Sequence, residues 1–348
     1  MDIIKGRGSA SQPHARFDAW QRNAFADGWE ASPQPLPATE VRMETARTIL
    51  SRNDTPDIPF RYSINPYRGC EHGCIYCYAR PSHTYVNLSP GLDFETKLYA
   101  KANAAQALCA ELARPGYRPS PINLGGNTDP YQPIERRWRL TRQILEVLLE
   151  LRHPCMLVTK GAAVERDLDV LAELARHRLV HVFLSLATLD GELTRRLEPR
   201  AAAPRLRLRL LRLLSEAGIP CGVLVAPIIP GLTDAGLEDV LKAAGEAGAS
   251  RADYVLLRLP GEVGGLFTDW LKQHYPLQSA RVMGLIRQCR GEHENDARFF
   301  SRMVGEGQVA RMLAQRVRIA RRRHGLDRPL PALDLSAFRV PKVQGELF

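Results

Sequence analysis

No long apolar run is present in this 348-residue chain. Its longest uncharged stretch, Ala217 to Thr233, is broken by three prolines, and the opening MDIIKGRGSASQPHARF lacks the apolar core of a secretory signal. No membrane span is expected, and the expected compartment is the cytoplasm. A disulfide framework is also missing. The seven cysteines are odd in number, and Cys109, Cys155, Cys221 and Cys289 are scattered, which suits a reducing compartment. With 45% hydrophobic and 25% charged residues the chain has an ordinary globular composition, so disorder of the whole is excluded. Its length admits one large α/β domain with extensions or two small domains.

Acidic residues are outnumbered. The net charge is +10 and the sequence pI about 9.4. Such an excess favours a polyanionic partner such as DNA, because each phosphate neutralised releases counterions. It is equally the signature of an arginine-rich proteome, so the charge needs support from the chemistry.

Regular patterning is sparse over residues 1–55, which read as an extended N-terminal arm with at most short helices. Beyond it, six short apolar runs, PFRYSI, PINLG, CMLVTK, VHVFLSLA, CGVLVA and DYVLLR, are each followed by a longer segment of helical spacing. The helices are expected over Phe94 to Arg114, Trp138 to Arg152, Ala163 to His177, Pro204 to Ala217, Asp234 to Ala247, and from Gly265 onward. In RLRLRLLRLLSEAG, Leu206, Leu210, Leu213, Leu214 and Ala217 keep helical period and Gly218 closes it, which makes its arginines a solvated face. Six β-then-α units require parallel strands, hence a doubly wound sheet or a TIM-like barrel, full or partial. Functional residues then belong at the carboxyl ends of strands. The segments RGCEHGCIYCY, GGNTDPYQP, TKG, SLAT, APIIPG and RLPGE follow the apolar runs as this requires.

Cys70, Cys74 and Cys77 form CxxxCxxC in a loop flanked by Arg68, Glu71, His72 and Arg80. Three thiols in so polar a segment point to metal rather than to core packing. Zinc with His72 as fourth ligand is one reading, although no second CxxC or HxxxH completes a bipartite site. The other is a four-iron cubane with one iron left open, since no further cysteine stands at ferredoxin spacing.

This pattern after the first strand of a βα-repeat chain resembles the radical S-adenosylmethionine (SAM) enzymes. The resemblance covers roughly Pro59 to Pro260. It implies a partial (βα)6 TIM-like barrel over residues 56–262, a C-terminal helical extension over 263–340 and a flexible tail over 341–348. It also implies a 4Fe-4S cluster held by Cys70, Cys74 and Cys77, S-adenosyl-L-methionine chelated at the open iron and cleaved to a 5′-deoxyadenosyl radical, and an electron donor such as flavodoxin or ferredoxin. Tyr76 matches the ring that packs near the adenine.

Within that superfamily RGCEHGCIYCYARP, GGNTDPYQPIE and TKG look most like the branch related to spore photoproduct lyase, a DNA-repair enzyme. By position Thr128, Lys160, Ser185 and Ala226 match residues that hold the cosubstrate, and Gly125 and Gly126 match the turn that receives its amino group. Arg200 is a further candidate for the methionine or ribose end. Tyr76 and Tyr78 match tyrosines that pass a hydrogen atom at the end of turnover. The lyase's hydrogen-donor cysteine, however, falls at Gly126, so the thymine-pair relay cannot run here unchanged. Cys289 is expected in the core.

Toward the C-terminus, Arg316, Arg318, Arg321, Arg322 and Arg323 either contact phosphates or cap a helix. The last residues, QGELF, resemble the peptide by which repair proteins dock on the bacterial sliding clamp, with Gln344, Leu347 and Phe348 as contacts. Three functions are therefore carried forward: a radical SAM enzyme acting on nucleic acid as in DNA lesion repair, the same chemistry on a protein or small metabolite, and a metal-stabilised binding protein without turnover.

Overall fold

The structure, a computed structural model, describes residues 4–18 and 38–341. Ten strands are formed: β1 Glu40–Glu44, β2 Leu50–Arg52, β3 Tyr62–Ile64, β4 Tyr67–Arg68, β5 Lys97–Lys101, β6 Ile122–Leu124, β7 Cys155–Thr159, β8 Val180–Ser185, β9 Cys221–Ile228 and β10 Arg251–Leu256. The larger sheet runs β10-β9-β8-β7-β6-β3-β2. Its strands from β3 to β10 are all parallel, and β2 adds antiparallel to β3. All six predicted apolar runs are these parallel strands. The sheet does not close on itself, which makes the α/β fold a partial barrel of the (βα)6 kind.

Each crossover helix buries one stripe against the strands. Leu140–Glu150 turns Leu140, Ile144, Leu145 and Leu148 inward, and Leu168–Arg176 turns Val170, Leu171 and Leu174 inward. Pro204–Glu216 starts with Pro204 in its first turn and is followed by Gly218 at φ 71°. Its arginines are not uniformly solvated as expected. Arg207 is 1% exposed and paired with Glu198, while Arg205, Arg209 and Arg212 are exposed.

Two further expectations change. The helix expected over Phe94 to Arg114 is divided into Asp93–Thr96, β5 and Ala104–Leu112. Alternation in KLYAK buries Leu98 and Ala100, and pairing with β1 on one side and β4 on the other outweighs local helical preference. Residues 40–52 of the arm carry β1 and β2. Their mostly exposed side chains, as in EVRME, left no apolar alternation to read.

Two ion pairs tie the segments after β10 to the loop between β2 and β3 and to the N-terminal segment. Arg302 donates to Asp57 at 2.7 Å, and Arg16 pairs with Glu262 at 2.9 Å. The C-terminal helix Gly307–Arg323 packs on the outside through Ala310, Leu313, Val317 and Ala320. It ends beside the start of β10, where the Ala252 amide donates to the Leu326 carbonyl and Arg251 bridges Asp327. Arg321 to Arg323 thus lie at the amino ends of the strands. Arg316 and Arg321 are ion-paired with Glu238 and Asp253, while Arg318, Arg322 and Arg323 are exposed.

Two buried histidines give the fold a pH dependence. His153 stands between the Pro154 carbonyl, 3.0 Å from Nδ1, and the Tyr117 hydroxyl, 2.8 Å from Nε2. Burial lowers the pKa values of His153 and His83 to about 4 each. The unfolded chain binds those protons near 6.5, so stability is fully present above that pH and falls as pH drops from 6.5 toward 4. Denaturation midpoints should decrease over that window, and His153→Gln should flatten the decrease. A midpoint constant from pH 7 to 5 would contradict this.

Candidate active site

Cys70, Cys74 and Cys77 follow β4 on a loop at the carboxyl end of the barrel, facing the turn after β6. Gly73, at φ 67°, permits the tight turn between the first two; a Cβ there would meet Glu95 Oε2 at 2.6 Å. The loop is held from behind by Arg80, whose side chain is fully buried. It donates to the carbonyls of Gly73 (3.1 Å), Cys74 (2.9 Å), Pro90 (3.1 Å) and Gly91 (2.8 Å) and to Glu95 (2.5 Å). Glu95 also accepts from the Gly8 and Ser9 amides, each at 2.9 Å, which lays the N-terminal segment over the loop. Gln132 fastens the other side, accepting from the Glu71 amide at 2.8 Å and donating to the Gly69 carbonyl at 3.1 Å.

The three thiols are free. Burial pushes all of them up, and the charge Cys77 would carry raises Cys74 further, as those of Cys74 and Cys77 raise Cys70. Such a trio binds as thiolates only beside compensating positive charge, which a cationic iron cluster brings. Closed zinc coordination fits less well. His72 Nδ1 lies 3.3 Å from Asp129, and among the described residues no three His, Cys, Asp or Glu side chains are placed to hold one metal ion. Thiolates of a cubane attach to separate irons and need not converge on one point. Asp129 is held down at about 2: burial works against its charge, but His72, the Thr159 hydroxyl and the Lys160 amide outweigh it.

The strand ends bring most of the expected residues to this same rim. Gly125, at φ 95°, ends β6, and a Cβ there would stand 2.8 Å from the Val158 carbonyl. The Gly126 carbonyl accepts from the Tyr78 hydroxyl. Thr128 is buried, with its hydroxyl on the Tyr67 carbonyl at 3.3 Å. Lys160 follows β7, its ammonium 6.0 Å from the Tyr76 ring centroid. Burial would lower the Lys160 pKa, yet Cys74 and Glu198 raise it above the ordinary lysine value. Ser185 at the end of β8 donates to the Ala226 carbonyl on β9 at 3.1 Å. Arg200 pairs with Glu71 at 3.1 Å, and its amide donates to the His72 carbonyl at 3.2 Å, so it braces the cysteine loop. The two tyrosines diverge: Tyr76 is buried against Glu198, and Tyr78 is half exposed at the mouth.

Several residues of the site escaped the sequence reading. Glu198 accepts from Tyr76 and from Arg207, and Arg207 donates to the carbonyls of Ser185 (2.8 Å) and Ala202 (2.7 Å). Asn65 accepts from the Asn127 amide at 2.7 Å and the Thr128 amide at 3.1 Å, which shapes the turn after β6. A buried arginine inside an apparently solvated stripe carries no local signature. Asn65 did have one, since it directly follows a predicted strand. Cys289 lies in the core, 2% exposed, as expected. Gln344, Leu347 and Phe348 lie outside the described residues.

The Radical SAM superfamily matches residues 64–244, just over half of the chain, from the end of β3 through the cysteine loop and β4 to β9. The chain belongs to the radical SAM superfamily. This radical SAM enzyme is 42% identical over 233 residues to a Mycobacterium bovis protein described as uncharacterized, covering 66% of this chain and 68% of that one. A Methanocaldococcus jannaschii protein, also described as uncharacterized, is 29% identical over 216 residues, 62% of this chain and 77% of its own. Among solved structures a spore photoproduct lyase variant aligns with a TM-score of 0.55 at 16% identity, over 82% of this chain and 79% of the other, which shows a shared fold. Spore photoproduct lyase complexed with dinucleoside spore photoproduct aligns with a TM-score of 0.50 at 17% identity, over 68% and 66%. Membership removes the reading as a binding protein without turnover. Among the described residues, no helix of the radical SAM enzyme is long and apolar enough to cross a membrane.

Proposed function

We propose that this radical SAM enzyme anchors a 4Fe-4S cluster through Cys70, Cys74 and Cys77, binds S-adenosylmethionine on the surrounding rim, and acts on nucleic acid. The observation that carries the reading is the placement of three free thiols, those of Cys70 and Cys74 buried and that of Cys77 partly so, at the same barrel end as Gly125, Gly126, Lys160 and Ser185. When bound, the cluster and cosubstrate supply an electron and a 5′-deoxyadenosyl radical.

The chain's own residues orient and shield. Arg207 fixes Glu198, and Glu198 fixes the Tyr76 hydroxyl, so the Tyr76 ring is a rigid platform for an adenine. Lys160, kept cationic by Cys74 and Glu198, is poised for an anionic group of the cosubstrate. Gly125 and Gly126 let backbone approach it without a side chain between. The N-terminal segment at Gly8 and Ser9 covers the cysteine loop and excludes water from that side.

Nucleic acid is supported by the +10 charge and by a fold shared with an enzyme whose solved complex holds a dinucleoside lesion. The reading does not extend to thymine-pair reversal. Gly126 carries no thiol, and Cys155, Cys221 and Cys289 are buried in the core. The alternative substrate is a protein or small metabolite. Anaerobically reconstituted enzyme should form 5′-deoxyadenosine on reduction, and irradiated DNA should raise its yield above the level without substrate. An unchanged yield with every DNA tested refutes the nucleic-acid assignment, and no 5′-deoxyadenosine from four-iron protein refutes the chemistry.

A further inference from the structure

β10 ends at Leu256, and Arg258 follows two residues later on the barrel's carboxyl rim. Its guanidinium carbon lies 5.5 Å from the Tyr78 ring centroid, and the hydroxyl of that ring bonds the Gly126 carbonyl. The arginine therefore faces the turn after β6 across the open side of the sheet. Its Nε is buried without a hydrogen-bond partner, and the contact made by Nη1 is a weak one, 3.8 Å to Met303 Sδ. No carboxylate among the described residues pairs with it.

Its neighbours are differently placed. Arg302 is taken by Asp57, and Arg290 spends its donors on the carbonyls of Leu256, Leu257, Ser301 and Arg302. Burial, followed by the like charge of Arg302, lowers the Arg258 pKa, so the cation is held at a cost that an anion would relieve. Nη2 has no hydrogen-bond partner among the described residues and, unlike Nε, is not fully buried, which leaves that end of the guanidinium beside the Tyr78 ring for a phosphate oxygen.

We propose that Arg258 is a substrate-anchoring residue: its guanidinium receives a phosphodiester of the nucleic-acid substrate at the rim beside Tyr78 and Gly126. This rests on the nucleic-acid reading above. The anchor would place a nucleotide next to the position where the radical is delivered, while leaving the cosubstrate to Lys160 and the glycine turn.

The test measures binding of a fluorescent thymidine tetranucleotide and of its uncharged methylphosphonate counterpart to reconstituted four-iron enzyme, with Arg258→Gln and Arg258→Lys compared to the parent. Iron content and 5′-deoxyadenosine formation without substrate should be unchanged in both variants. Arg258→Gln should weaken the phosphodiester probe about tenfold and reduce the salt slope by about one, with Arg258→Lys intermediate and the methylphosphonate indifferent. Equal binding of the phosphodiester by parent and Arg258→Gln overturns the anchor and leaves the nucleic-acid reading standing. Equal weakening of both probes also overturns it, since the role would then be steric. Failure of the parent to bind the phosphodiester probe at any salt overturns the nucleic-acid reading and the anchor with it.

Discussion

Cys74→Ala is expected to abolish iron binding and S-adenosylmethionine cleavage together. Cys74 is buried between the Arg80-bound carbonyl of its own backbone and the Lys160 ammonium, with Glu198 beyond. No other cysteine stands on the loop to take its place: Cys155, Cys221 and Cys289 belong to the barrel core, and Cys109 lies on the helix Ala104–Leu112. Two remaining thiolates would leave a cubane with two unsupported irons, and such a cluster is lost or degraded. Iron and sulfide content after anaerobic reconstitution, read beside 5′-deoxyadenosine formation, checks this. A Cys289→Ala control should retain the full iron content, since that thiol packs against core residues away from the loop. Cys74→Ala protein with four irons and normal cleavage would contradict the assignment of the loop.

Glu95→Ala is expected to destabilise the fold by about 3–5 kcal/mol, because it strands the buried Arg80 charge while removing the acceptor of the Gly8 and Ser9 amides. The loss should appear in the denaturant midpoint without iron as well as with it, since Arg80 supports the backbone carbonyls of Gly73 and Cys74 irrespective of what the thiols hold. Removing both charges in Arg80→Met with Glu95→Leu should cost less than the sum of the single changes, the excess measuring the pair's coupling. A midpoint within 1 kcal/mol of the parent for Glu95→Ala, on the scale expected for an exposed pair, would show that the ion pair is not buried as described.

These two expectations differ in how visible their residues are. CxxxCxxC announces itself by spacing, and its place after the first apolar run marked the loop and the superfamily it belongs to. Arg80 and Glu95 stand in ordinary local contexts, RPSHTY and DFETKLY, and nothing in either segment signals that they meet. The same contrast runs through the rim. Lys160 and Gly125 follow strands and were found by that position, whereas Arg207 lies on a helix whose arginines read as a solvated face, and Glu198 stands in a segment without such a mark. Arg258 follows the last predicted strand, so its location was legible, but its lack of a counter-ion was not.

By itself the sequence determined the six parallel strands, the helices that follow all but the first of them and the cysteine loop, because period-two and period-3.6 patterns and short-range spacing are local properties that survive in one dimension. Only the tertiary structure decided that Lys97–Lys101 is a strand, that residues 40–52 of the arm add strands to both sheets, and which arginines are neutralised by carboxylates, some of them far along the chain. Hydrogen-bond pairing between separate strands and charge pairing depend on distance in space, and in this chain partners such as Asp57 and Arg302 stand 245 residues apart.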